Sequence, residues 1–119
     1  MAIPHVAPGQ IINLLPLGLE LSDVKTFALF KSENLELIRL VLRAGKSLPP
    51  HKVPGEITIQ CIEGVISVSA QGTHCRLKAG QLIYLAGNVI HAVLAEEDSS
   101  ALVTIALLSS GTSAQAGCV

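Results

Sequence analysis

The sequence predicts an all-β domain, and three observations predict it. Short apolar runs rich in Val, Ile and Thr recur along the chain. Gly, Pro, Ser and Asn punctuate them at the spacing of a sandwich or barrel. No stretch sustains the 3.6-residue apolar period of an amphipathic helix. Strands are therefore expected near residues 11–15, 24–31, 34–43, 55–63, 65–69, 73–77, 81–85, 90–95 and 101–108. The turns between them include Ser32-Glu33-Asn34, Ala44-Gly45-Lys46, Glu63-Gly64, Gln71-Gly72, Ala79-Gly80 and Gly87-Asn88. Each supplies a residue tolerant of positive φ or a local side-chain hydrogen bond.

A chain of 119 residues suffices for one domain with one core. We divide it into a leader over 1–10, a single barrel domain over 11–108 and a flexible tail of small polar residues over 109–119. Half of the residues are hydrophobic and only 14% are charged, against about 25% in an ordinary globular chain. Such a chain has little charge with which to cover its outside. In the segment Leu35–Arg43 one parity carries Ile38, Leu40 and Leu42, while the other carries Leu35, Leu37 and Val41. The run Ala101–Leu108 is apolar on both faces in the same way. A strand of a small antiparallel barrel needs only one buried face, so the second face needs a cover, and a homodimer is the simplest one.

Several function classes fall away. The formal net charge is −1 with no basic cluster, so no electrostatic footprint for nucleic acid is present. No run approaches the ~18 apolar residues of a membrane span. The segment Met1–Pro8 lacks the basic and uninterrupted apolar regions of a secretory signal. Three cysteines without a CxxC pair fit a reducing compartment, so a cytoplasmic location is expected. The sequence contains no Gly-x-Ser-x-Gly elbow, phosphate loop or dinucleotide fingerprint, which argues against hydrolase and nucleotide-binding chemistry.

The chemistry-bearing residues gather in two glycine-framed segments. In the first, Gly45 precedes His51 by six positions and Gly64 follows; in the second, Gly80 precedes His91. This arrangement resembles the two motifs of small bacterial cupins, the RmlC-like superfamily. The resemblance covers roughly residues 45–95, and fifteen residues separate Gly64 from Gly80, a short spacing similar to that of single-domain members. It implies a double-stranded β-helix, or jelly-roll barrel, whose mouth carries His51 and His91. It also implies that Val53, Ile57, Ile59 and Cys61 face inward, as residues two apart on a strand share a face.

The chain departs from the motifs at several positions. Val53 stands where a second histidine is usual, and Ile57 stands at the glutamate position, with Glu56 one residue early. Ala86, Asn88 and Ala95 replace Pro, Gly and Asn of the second motif. The resemblance implies a divalent metal, whether iron, manganese, nickel, copper or zinc, with His51 and His91 as ligands of an incomplete site. Zinc and iron centres normally draw on three or more protein ligands.

Other residues are candidate substitutes for the missing ligands. Glu56 reaches the interior only if a bulge at Pro54-Gly55 shifts the register. Cys61 lies four residues beyond Ile57, about 13 Å along a strand, and a buried thiol ordinarily behaves as a small apolar residue. Gln60 is expected to face outward with Thr58 and Ile62. His74 on an intervening strand and His5 in the leader carry little signal. Tyr84 either lines the pocket or caps the core, and a buried phenol needs a partner for its hydroxyl.

Three functions follow. The first is a cupin barrel that binds an unknown small molecule in an apolar pocket lined by His51, Val53, Ile57, Ile59, Tyr84 and His91. The second is a cupin enzyme of oxygenase or isomerase type, metal-assisted or using histidine as a base. The third is a dimeric, non-catalytic interaction module.

Overall fold

Alternating apolar residues make strands here because each strand finds a partner and a shared interior. The computed structural model describes residues 5–108, so the expected flexible tail and the first four leader residues lie outside the described residues. The strands are β1 (Phe27–Lys31), β2 (Leu35–Leu42), β3 (Ser47–His51), β4 (Ile57–Glu63), β5 (Val65–Ala70), β6 (Thr73–Lys78), β7 (Leu82–Leu85), β8 (His91–Ala95) and β9 (Ser99–Ala106). They form a five-stranded sheet of order β1-β2-β9-β4-β7 and a four-stranded sheet of order β3-β8-β5-β6, with every pairing antiparallel. The expected all-β jelly-roll barrel is the fold the chain forms.

The interior is aliphatic. Leu40, Ile57, Ile59, Cys61, Ile66, Val68, Leu77, Val93, Ala101 and Val103 form a buried cluster to which both sheets contribute. The parity read from the sequence holds along β4, where Ile57, Ile59 and Cys61 are buried and Thr58, Gln60 and Ile62 are half-buried on the other face. Gly64 turns the chain from β4 into β5 at φ 81°, and a Cβ there would overlap the carbonyl of Asp98 and the hydroxyl of Ser99. Only glycine fits the backbone crossing at that point.

Two elements differ from the sequence expectation. No strand forms over 11–15; that region is irregular and leads into a 3-10 helix, Gly18–Asp23. Where this segment meets the helix, backbone groups bond side chains instead of a ladder. The carbonyl of Leu15 accepts a hydrogen bond from Arg39 at 2.8 Å, and the amides of Leu17 and Gly18 donate to Glu63 at 2.9 and 3.1 Å. Conversely, Ser47–His51 forms a strand despite Pro49 and Pro50. As β3 is an edge strand, the missing N–H groups cost no internal ladder bond, and its register slips between Leu48 and His51.

The leader also changes the account of β2. Its outward residues Arg39 and Val41 are buried. Arg39 is held under the strap that carries Leu15 to Gly18, and the Thr26 hydroxyl exchanges hydrogen bonds with the backbone of Val41. The chain itself thus covers part of the second face for which a partner subunit was expected. No helix among the described residues is long and apolar enough to cross a membrane.

Candidate functional site

The register of β3 and β8 builds the site. His51 ends β3 and His91 begins β8, and the two are direct cross-strand partners. Opposed residues of an antiparallel pair hold their Cβ atoms about 5 Å apart. The imidazole centroids accordingly lie 4.4 Å apart with the rings tilted by 56°. His91 is 3% exposed, whereas His51 is exposed at the rim.

Each ring is oriented in the same way. Nδ1 of His51 lies 3.0 Å from the carbonyl oxygen of Pro49, and Nδ1 of His91 lies 3.0 Å from that of Val89. A carbonyl can only accept, so a neutral ring in this position carries its proton on Nδ1 and leaves Nε2 as an acceptor. No described protein group pairs with either Nε2.

Below the histidines lies a cavity of about 190 Å³. Its walls are Leu48 of β3, Ile57 and Ile59 of β4 and Val93 of β8, closed on the far side by Ile38, Leu40, Val103 and Ile105. Thr26 also reaches it, but its hydroxyl is engaged with Val41. The two imidazoles are therefore the polar groups left for an occupant. Of the expected pocket residues, His51, Ile57, Ile59 and His91 line this cavity; Val53 and Tyr84 do not.

Both displacements have a physical reason. Residues 52–56 belong to no strand, so the two-residue alternation that would carry Val53 inward beside His51 does not apply. Val53 is half-buried and its carbonyl accepts the amide of Asn88 at 2.8 Å. The segment is clamped from the other side, where a Cβ at Gly55 would overlap the Ala106 carbonyl and the Ala106 amide donates to Glu56 at 2.9 Å. Tyr84 pairs with outward-facing Thr58, is 58% exposed, and donates its hydroxyl to the Glu56 carboxylate. That carboxylate raises the Tyr84 phenol above its ordinary value. Glu56 thus stays outside, and no bulge brings it to the histidines.

The remaining candidates lie elsewhere. Cys61 is fully buried, with its thiol directed to the carbonyls of Glu63 and Gly64. Burial pushes that thiol up, which suits a core residue and not a nucleophile. His74 is exposed on edge strand β6 opposite Ser69, and His5 is exposed in the leader. A wider groove of about 430 Å³ runs between the leader and β1, past Val6, Pro8, Ile12 and Phe30. Its polar lining residues are His5, Gln10, Lys31 and Ser32, and it has no pair of facing imidazoles like that of His51 and His91. Among the wall residues, Ile38 and Leu40 were foreshadowed by the parity of β2, whereas Thr26 had no sequence signal.

A metal centre needs more donors than this site supplies. Two imidazoles surrounded by aliphatic side chains do not supply the three or more protein ligands of a stable centre. Among the described residues no group of three or more His, Cys, Asp or Glu side chains could hold an ion. The residues present do not fit a complete cupin metal site.

Solved structures agree with the architecture. The chain is similar to an RmlC-like cupin from Desulfovibrio desulfuricans, with 24% identity, a TM-score of 0.70 and coverage of 82% of this chain and 96% of that one. It is also similar to the conserved protein SPY1581 of unknown function from Streptococcus pyogenes, with 16% identity, a TM-score of 0.70 and coverage of 92% and 97%. A third match is a variant of salicylate 1,2-dioxygenase from Pseudoaminobacter salicylatoxidans, with 22% identity and a TM-score of 0.59, covering 61% of this chain and 22% of that one. These likenesses carry the fold alone. No curated protein matches the sequence significantly. A family model described as a cupin domain matches residues 38–107, and on that match, spanning more than half of its length, the chain belongs to the cupin family.

Proposed function

We propose that this cupin binds a small, largely apolar molecule inside the barrel, next to His51 and His91. One observation supports the reading above others: an aliphatic cavity of about 190 Å³ whose available polar groups are two facing imidazoles, His51 exposed at the rim and His91 buried. Ligand pockets have this composition, apolar walls with a few polar groups that fix orientation. The volume is below the ~300 Å³ of a typical drug-sized pocket and close to a cavity of about 150 Å³ that accepts benzene. The occupant is therefore the size of one ring or a short branched chain. Burying such a molecule contributes roughly 4 kcal/mol, about millimolar affinity before the cost of association. The imidazoles decide whether binding becomes specific.

Thermal denaturation against a panel of monocyclic aromatics, small acids and carbohydrates tests this. Ring-sized apolar compounds should raise the melting temperature and carbohydrates should not. A flat response across the whole panel would sink the proposal.

A second reading is catalytic, without metal. It is supported by the free Nε2 of His51, which is oriented through Nδ1 and accessible at the mouth. A neutral imidazole so held has its Nε2 lone pair free to accept a proton from a bound molecule. Exchange of an acidic C–H of a pocket ligand into deuterated water, present in the wild type and lost in His51→Ala with the fold intact, would favour it over binding alone.

The same reading places the protein in the cytoplasm, as an odd number of cysteines suits a reducing compartment. It also includes a homodimer formed through the uncovered part of the five-stranded sheet, where Leu82 and Tyr84 are more than half exposed. Light scattering at micromolar concentration should give twice the chain mass, and a monomeric mass would remove the dimer.

A further inference from the structure

Resting on the pocket reading above, we infer that the site selects an uncharged ring-sized molecule bearing a hydroxyl donor, the phenol class, over the matching carboxylate. The tautomers of the two histidines set this preference. Each Nδ1 lies 3.0 Å from a backbone carbonyl two residues earlier in the chain, Pro49 for His51 and Val89 for His91. These carbonyls have no proton to give, so Nδ1–H must be the donor in both contacts. The neutral rings then offer Nε2, on the other side of each imidazole, as a bare lone pair.

No cation or N–H donor among the cavity-lining side chains offsets this. The walls are Leu, Ile and Val, and the Thr26 hydroxyl is committed to Val41. No Lys, Arg, Asp or Glu lines the cavity. Among the side chains that line the cavity, the uncommitted polar atoms are thus the two Nε2 acceptors, and none is a free donor. A carboxylate entering it would lose its hydration and find no hydrogen-bond donor, a cost that apolar burial does not recover. A hydroxyl on an aromatic ring has the complementary chemistry. Its ring occupies the aliphatic space, and its proton goes to Nε2. Discrimination of this kind is set by buried groups left unpaired rather than by contact area. The same pairing separates a phenol from a ring of equal size without a donor.

The test uses the full chain at pH 8.5, above the ordinary imidazole range, and three probes: phenol, fluorobenzene and benzoate. Calorimetric or ligand-observed NMR titration should show phenol binding about fivefold or more tighter than fluorobenzene, the worth of one hydrogen bond, with benzoate weaker than phenol. In His51→Phe, at an exposed position where folding tolerates change, the preference for phenol over fluorobenzene should shrink, and a preference equal to that of the wild type would overturn the role given to His51. Equal binding of phenol and fluorobenzene would overturn the hydroxyl inference and leave the apolar pocket standing. Benzoate binding tightest would overturn it too, because the imidazoles would then be acting as donors. Failure of all three probes would remove the pocket reading and this inference together. Long-range 1H–15N spectra of the unliganded protein read the tautomers independently of any ligand. Protonated Nδ1 with bare Nε2 on both rings is expected, and an Nε2–H tautomer on either ring overturns the assignment.

Discussion

At one end of the barrel polar groups are satisfied several times over, and at the other they are satisfied once. Where β4 ends, the Glu63 carboxylate accepts from the amides of Leu17 and Gly18 and from the Ser100 hydroxyl, and it pairs with Arg39 at 3.5 Å. Arg39, 3% exposed, also donates to Ser100 and to the Leu15 carbonyl. Ser99 bridges the amide and carbonyl of Val65 and reaches the Glu97 carbonyl. At the mouth, each histidine has a single backbone partner and one nitrogen without any. The difference separates what the chain needs to fold from what it leaves open for a ligand. Densely connected polar clusters fix a structure, even though Arg39 Nε is left without a partner here; half-satisfied groups over a cavity invite an occupant.

The largest effect should come from breaking the connected end. Removing Glu63 as Glu63→Leu leaves the Arg39 guanidinium buried without its carboxylate and frees the strap that Glu63 anchors. A loss of about 3 kcal/mol is expected, the usual cost of orphaning one partner of a buried pair. Denaturant unfolding measures it, and a loss under about 1 kcal/mol would show that the strap and the pair are not holding the fold.

The next effect converts one end into the other's chemistry. Ile57 lines the cavity beside both histidines, so Ile57→Glu adds the carboxylate that the donor set lacks. The apo variant should be less stable by about 2 kcal/mol, the penalty for a buried polar group without a partner, and zinc or nickel should recover that loss as a rise in melting temperature. The wild type should show no comparable rise. Val53→His should do neither, because Val53 does not line the cavity. Metal-induced stabilisation of Val53→His would mean that the 52–56 segment can turn inward.

These two sites also mark what was legible in the sequence. The strands of the core were legible because alternation is local, and His51 and His91 were legible because glycines frame them. The strap was not, because its partners Arg39 and Glu63 lie 24 and 46 residues from Leu15 and Leu17, and nothing local in Ile11–Leu15 signals them. β3 was hidden by Pro49 and Pro50, which an edge strand accommodates. Val53 was misplaced because parity cannot be carried across Pro54-Gly55, where the chain leaves β-structure. That His51 and His91 face each other is a matter of register between strands forty residues apart, which motif spacing does not encode.

Acid should distinguish the ends next. Partial burial would raise the Glu63 carboxyl, but the Leu17 amide, the Ser100 hydroxyl, the Gly18 amide and Arg39 together hold it below its ordinary value. A carboxylate with a depressed folded pKa contributes stability that is present above the unfolded value, near 4.5, and is lost as pH falls through the lower folded one. Unfolding free energy should therefore decline below about pH 4.5, and Glu63→Gln should flatten that decline. An equal slope in the variant would assign the acid sensitivity to other carboxylates.

The smallest effect on stability should come from the mouth. His51 is exposed, ends an edge strand and has one hydrogen bond, to the carbonyl two residues before it. His51→Ala should change stability by no more than about 0.5 kcal/mol, as exposed substitutions away from connected features do. Yet it removes one of two polar groups available in the cavity, so ligand-dependent stabilisation should fall severalfold. A residue that matters little to the fold and much to an occupant is what distinguishes a binding rim from a structural one. If His51→Ala unfolded the barrel as readily as Glu63→Leu, the imidazole pair would belong with the connected cluster at the other end, as part of the scaffold and not of a site.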